Sequence, residues 1–137
     1  MLYLLDSNVV SELRKKKSMN TGVLNFFQSI DSAEVYLPVQ TIGELRRGVE
    51  NLRNRGDVSQ AKKIEGWLNL ILSEYSDRII EFDADCAQVW GRLMSPHNQN
   101  AVDKQIAAIG LIHGMSIVTR NVKHFAGTGT TLINPFI

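Results

Sequence analysis

Three acids and one amide carry the chemistry this chain could do: Asp6, Glu44, Asp103 and Asn121. Asp6 ends the apolar run Leu2-Tyr3-Leu4-Leu5 and is followed at once by Ser7-Asn8-Val9-Val10. So short an apolar run reads as a buried strand, with the carboxylate at its carboxyl end. In open α/β sheets that edge is where ligands and chemistry gather. Glu44 lies in Thr41-Ile42-Gly43-Glu44, directly after a second strand candidate. Asp103 stands in Asn100-Ala101-Val102-Asp103, and Asn121 closes Val118-Thr119-Arg120-Asn121 after another strand candidate.

Each acid also has a plain structural reading. Asp6, or Ser7 beside it, could cap a helix at Val9. Thr41 and Glu44 spell a capping box, with Thr41 as N-cap and Glu44 at the third helical position. Asp103 suits the positive end of a helix. Together, however, they gather three carboxylates and an asparagine at one edge of one sheet. Like charges so placed repel and raise one another's pKa unless a cation sits among them. Oxygen-only donors suit Mg²⁺ or Mn²⁺ rather than zinc. Hard ions held by carboxylates typically serve phosphate chemistry.

The elements that must position these groups alternate along the chain. Strand candidates are residues 2–5, 35–37, 79–80, 116–118 and 131–133; helical stretches are 7–14, 22–30, 41–53, 58–75, 84–94 and 102–113. The longest places Ala61, Ile64, Trp67, Leu68, Ile71, Leu72 and Tyr75 on one face. Gly114 is placed to stop the helix before it, and Ala107-Ala108 let that helix approach a sheet closely. Residues 53–57 and 95–100 read as surface loops, and Gly127-Thr128-Gly129 as a tight turn into the last strand. Strand–helix alternation of this kind predicts an α/β sandwich with a mainly parallel sheet.

Bulk properties narrow the class. A chain of 137 residues is of single-domain size. Fifteen basic and 14 acidic residues leave a net charge of +1, so no general nucleic-acid coat is expected, although a basic rim can surround an acidic pocket. No apolar stretch reaches membrane-spanning length, and the N-terminus lacks the pattern of a secretion signal, which predicts a cytoplasmic protein. The single cysteine, Cys86, excludes a disulfide framework and reads as a small core residue.

Four ordered blocks are recognisable: Leu5-Asp6-Ser7-Asn8, Thr41-Ile42-Gly43-Glu44-Leu45-Arg46-Arg47-Gly48, Asp103-Lys104-Gln105-Ile106-Ala107-Ala108 and Val118-Thr119-Arg120-Asn121. They resemble the signature blocks of PIN-domain ribonucleases. The length and the late Asn134-Pro135 resemble VapC-type toxins of toxin–antitoxin pairs, including the FitB-like group. The resemblance covers nearly the whole chain. It implies one PIN domain over residues 1–137, a three-layer α/β/α fold around about five mainly parallel strands. It also implies a metal-dependent endoribonuclease whose Mg²⁺ or Mn²⁺ is bound by Asp6, Glu44 and Asp103.

The fourth position, an aspartate in many relatives, falls on Asn121, which can orient a water but adds no charge. His124 stands where many relatives carry an acid and reads as a surface histidine beside core Phe125; His97 and His113 show no site pattern, and Lys104 reads as an outward helix charge. Ser7, Asn8 and Thr119 are expected to support the acids. Attack by water rather than by the ribose 2′-hydroxyl predicts 5′-phosphate and 3′-hydroxyl ends. Phosphate contacts are expected from Arg120, Arg46, Arg47 and Lys123, with the run Arg14-Lys15-Lys16-Lys17 as a further candidate. Tyr36, Trp90 and Phe125 read as core aromatics rather than base-stacking platforms. The implied partners are an RNA substrate, a second copy of the chain, and a VapB-type antitoxin whose C-terminal segment covers the groove, with larger toxin–antitoxin assemblies an extension of the same pairing.

Other readings remain at this point. A non-toxin RNA-processing nuclease and a catalytically weak RNA- or protein-binding domain fit the same blocks. A haloacid-dehalogenase-like phosphatase needs a second aspartate where Asn8 stands, and a phosphoacceptor module needs an adjacent acidic pair and a late lysine where Thr119-Arg120 stand.

Overall fold

The computed structural model describes all 137 residues. In chain order the elements are β1 (Tyr3–Leu5), α1 (Ser7–Leu13), α2 (Thr21–Ser29), β2 (Val35–Pro38), α3 (Val39–Asn54), α4 (Val58–Glu74), β3 (Ile79–Ile80), α5 (Ala84–Leu93), α6 (Ala101–His113), β4 (Ser116–Val118) and β5 (Leu132–Ile133). Short 3-10 turns occupy Lys16–Ser18, Ser32–Glu34 and Val122–Phe125. The expected strands and helices are all present, with ends moved by a residue or two.

The five strands lie in the order β3-β2-β1-β4-β5, and all four pairings are parallel. Side chains alternate across the sheet. Leu5, Val35, Leu37 and Val118 enter a core with Val9, Val10, Val23, Leu45, Val49, Ala61 and Leu68, supplied by α1 to α4. Leu4 and Ile117 enter the opposite core with Cys86, Ile106, Ala107, Ile109 and Phe125, supplied mainly by α5 and α6. The result is the expected α/β/α sandwich. At Gly110 an added Cβ would stand 3.3 Å from the Ile117 side chain, so α6 lies close on β4. Gly114 ends α6 at φ 65°, a left-handed conformation that glycine adopts freely.

This topology decides where chemistry can occur. The chain runs outward from central β1 in one direction through β2 and β3, and in the other through β4 and β5. Between β1 and β4 the winding reverses, and a crevice opens beyond the carboxyl ends of such strands. Asp6 follows β1 and Thr119 follows β4.

One expectation is corrected here. Thr41 is not an N-cap and Glu44 is not at the third helical position. Helix α3 starts two residues earlier, at Val39 after Pro38, whose extended backbone (φ −76°, ψ 152°) turns the chain without a side-chain cap. Thr41 is buried, and its hydroxyl donates to the Leu5 carbonyl at 2.8 Å. That bond ties the first turn of α3 to the carboxyl end of β1 and leaves Glu44 in the second turn.

Candidate active site

Asp6 is 2% exposed and serves both as cap and as site carboxylate. Its Oδ1 accepts the Ser7 N–H at 2.9 Å at the start of α1. Its Oδ2 accepts the Thr119 hydroxyl at 2.7 Å and the Asn8 side-chain amide at 3.3 Å. Burial pushes its pKa up; the bonds from Thr119, Ser7 and Asn8 oppose that rise, and the charge of Asp103 adds to it. The carboxylate is thus fixed in direction.

Glu44 carries the plainest signature of crowding. Its carboxyl is raised from 4.5 to about 6, first by loss of water and then by the charges of Asp6 and Asp103. The Ser7 hydroxyl and the Arg47 guanidinium act in the opposite direction. Asp103 sits in the first turn of α6, as its sequence position predicts, with its side chain 16% exposed. Three acids from α1's cap, α3 and α6 therefore converge in the crevice between β1 and β4.

The donors suit a hard divalent ion. All three offer only oxygen, and neither Asp6 nor Glu44 forms a salt bridge that would discharge the repulsion. No three His, Cys, Asp or Glu side chains stand at the spacing of a closed metal cage. Mg²⁺ rarely asks for one, since it typically takes one or two carboxylates and keeps several waters.

Comparison with known proteins agrees with this fold. The PIN-domain family matches residues 3–128. The chain belongs to that family. It is 30% identical over 142 residues to toxin FitB of Neisseria gonorrhoeae, covering 98% of this chain and 99% of the relative. It is 29% identical over 142 residues to the VapC ribonuclease Y4jK of Sinorhizobium fredii, covering 98% of both. A crystal structure of FitAcB from Neisseria gonorrhoeae superposes with a TM-score of 0.84 at 29% identity, again covering 98% of each chain.

Around Asp6, Glu44 and Asp103 the other expected residues sort into three groups. Ser7, Asn8 and Thr119 all contact Asp6 directly. Thr119 also accepts the Asn121 N–H at 2.9 Å, so the strand-end turn is held by the same hydroxyl. The Asn121 side chain is exposed and makes no hydrogen bond of its own to the acids. Among the basic candidates, Arg47 and Lys123 are exposed, and Arg47 acts on Glu44. Arg120 is exposed and stacks on Phe136. Arg46 lies elsewhere in purpose: it pairs with Glu65 of α4 and Glu50 of α3. Lys15 pairs with Glu12, and Lys16 sits in a 3-10 turn at φ 50°.

Two site features escaped the sequence reading. His124 is exposed as expected, but its Nδ1 lies 2.8 Å from Asp103 Oδ2. It is a partner of Asp103 rather than a bystander beside Phe125. Its place three residues after Asn121 was the available signal. The second is Trp67, which lines three neighbouring cavities of about 430, 250 and 480 Å³. The second of these also contains Ser7, Arg14 and Glu44, so a groove leads from α4 to Glu44. Tyr36 and Phe125 pack in the core as expected, and the Trp90 indole donates to the Ala101 carbonyl.

Proposed function

We propose that this chain is a metal-dependent endoribonuclease and the toxin of a toxin–antitoxin pair. The observation that carries the reading is the convergence of Asp6, Glu44 and Asp103 at the winding reversal of a PIN sheet. Residues 1–137 act as one PIN domain. Asp6, Glu44 and Asp103 hold Mg²⁺ or Mn²⁺, directly or through waters. Such an ion supplies Lewis acidity toward water and the scissile phosphate.

The chain's own residues do the rest. Thr119, Ser7 and Asn8 keep Asp6 aimed into the crevice, so its oxygens need no reorganisation when substrate arrives. Asn121 orients water with its exposed amide. One of the three carboxylates takes the proton of the attacking water. The products carry 5′-phosphate and 3′-hydroxyl ends. Arg120, Arg47 and Lys123 supply phosphate contacts around the acidic cleft.

The toxin part of the reading draws support from the relatives named toxin FitB and VapC ribonuclease. Its partner is an antitoxin whose C-terminal segment lies along the Trp67 groove toward Glu44, where Ile64, Leu70 and Trp67 offer apolar area. A homodimer belongs to the same proposal. No helix is long and apolar enough to cross a membrane.

The decisive experiment is cleavage of RNA with Mn²⁺, with and without chelator, by wild type, Asp6→Ala and Asp103→Ala. Undiminished cleavage in both variants would overturn the site. No cleavage of any RNA by wild type would favour a catalytically weak domain, the reading to which the amide at Asn121 points. Asn121→Asp then tests whether the missing charge limits metal binding.

A further inference from the structure

We infer that residues Asn134–Ile137 form a positioning element that holds Arg120 as a phosphate contact, with Phe136 as its working residue; the inference rests on the ribonuclease reading above. The Arg120 guanidinium lies over the Phe136 ring, 4.5 Å from its centroid. Its backbone N–H donates to Asn8 Oδ1 at 3.0 Å, and the amide of the same Asn8 donates to Asp6. The arginine is therefore anchored one side chain away from the carboxylates. An unrestrained guanidinium at that distance would fold onto them, discharge the cleft and compete with a metal ion. Here its ring stack and the Asn8 bond restrain it instead. The aromatic shelf restrains a guanidinium that is exposed to solvent. A guanidinium stacked by its face keeps its edge donors free for phosphate oxygens.

The shelf is itself clamped. The Asn20 amide donates to the Ile137 carbonyl at 2.9 Å, and Asn20 Oδ1 accepts the Ile137 N–H at 3.3 Å while also capping α2 through Gly22 and Val23. Asn134 Oδ1 accepts the Phe136 N–H at 3.1 Å. Gly22 is buried against this segment. A Cβ there would stand 2.1 Å from the Pro135 carbonyl oxygen, so any larger residue must displace the tail backbone. Asn20 in turn donates its N–H to the buried Glu12 at 2.8 Å. A continuous set of contacts thus runs from α1 through the cap of α2 and the tail to Arg120.

The test compares wild type, Phe136→Leu, Phe136→Trp, Gly22→Ala, Arg120→Ala and the Arg120→Ala/Phe136→Leu double variant on a single-stranded RNA oligonucleotide. Cleavage kinetics with Mn²⁺ and RNA binding across a salt series are both read. Leucine keeps the apolar bulk and removes the ring face, and melting curves check that each variant is folded. Phe136→Leu should raise KM about fivefold with kcat changed less than about twofold. It should also lower the salt slope of binding by roughly 0.7, the value of one lost phosphate contact on a single strand. Phe136→Trp should restore both, Gly22→Ala should reproduce the Phe136→Leu values, and the double variant should be no worse than Arg120→Ala. Wild-type KM and slope in Phe136→Leu, or additive effects in the double variant, would overturn the tail's role while leaving an Asp6-dependent nuclease intact. An absence of Asp6-dependent cleavage in wild type would remove the ribonuclease reading and this inference together.

Discussion

Two clusters of charge on helix α3 behave in opposite ways. On the face toward α4, Arg46, Glu50, Arg53 and Glu65 alternate in sign and form four salt bridges, and both glutamates are held below the usual carboxylate range, chiefly by hydrogen bonds from the arginines. Toward the crevice, Glu44 meets Asp6 and Asp103, and both Glu44 and Asp6 are raised. The same helix thus carries a compensated cluster that fastens α3 to α4 and contributes Glu44 to a second cluster in which carboxylates repel one another. Mutually repelling acids gathered at one crevice do not serve packing, and sites of this kind are candidates for function.

The largest separation between the clusters is expected in catalysis. Asp6→Ala or Asp103→Ala should reduce RNA cleavage by about 10²–10³-fold, as loss of one preorganised electrostatic group commonly does. Glu65→Gln, at the compensated cluster, should leave the cleavage rate at the wild-type value. Equal losses at both clusters would show that activity follows α3 packing rather than the acids.

Metal binding provides the next contrast. Saturating Mn²⁺, about a hundredfold above its Kd, should raise the melting temperature of wild type by roughly 5–10 °C. Asp103→Asn should lose that rise and Glu65→Gln should keep it. A rise of equal size in Asp103→Asn would place the ion elsewhere.

A pH series sharpens the comparison further. Because the Glu44 carboxyl is raised from 4.5 to about 6 in the folded chain, its ionised form is disfavoured there. The resulting destabilisation is absent below about pH 4.5 and complete above about pH 6. Glu44→Gln should therefore melt a few degrees higher than wild type above pH 6 without metal, roughly 2–4 °C. The gain should vanish below pH 4.5. Glu65 is the opposite case: its lowered pKa contributes stability above about 4.5 that is lost as pH falls through its folded value. The smallest effect follows from that. Glu65→Gln should lower the melting point slightly near neutral pH, and about 0.5 M salt should erase the difference because the pairs are open to solvent.

Much of this arrangement was legible in the chain. Asp6 could be placed because a short apolar run ends on it, and Asp103 because helix signals surround it. The support from Ser7, Asn8 and Thr119 followed from their adjacency to strand ends, and all three touch Asp6. The start of α3 was misplaced because Thr41 and Glu44 satisfy a capping pattern that the Pro38 turn makes unnecessary. Arg46 was read as a substrate contact because a basic residue beside a site acid looks available. Its partner Glu65 is 19 residues away, on a helix whose crossing with α3 no local pattern specifies.

By itself, then, the sequence determined the kinds of donor and the ends of the elements that bear them, because apolar periodicity and turn residues act over a few neighbouring positions. Tertiary structure decided everything that depends on which elements lie side by side. Parallel pairing of β1 with β4 brings Thr119 onto Asp6 across 113 residues of chain. Packing of α6 against the Val122–Phe125 turn brings His124 onto Asp103, and docking of the tail on α2 slides Phe136 under Arg120. Those contacts arise from burial of apolar faces, a non-directional force that sets element positions only when the whole sandwich closes.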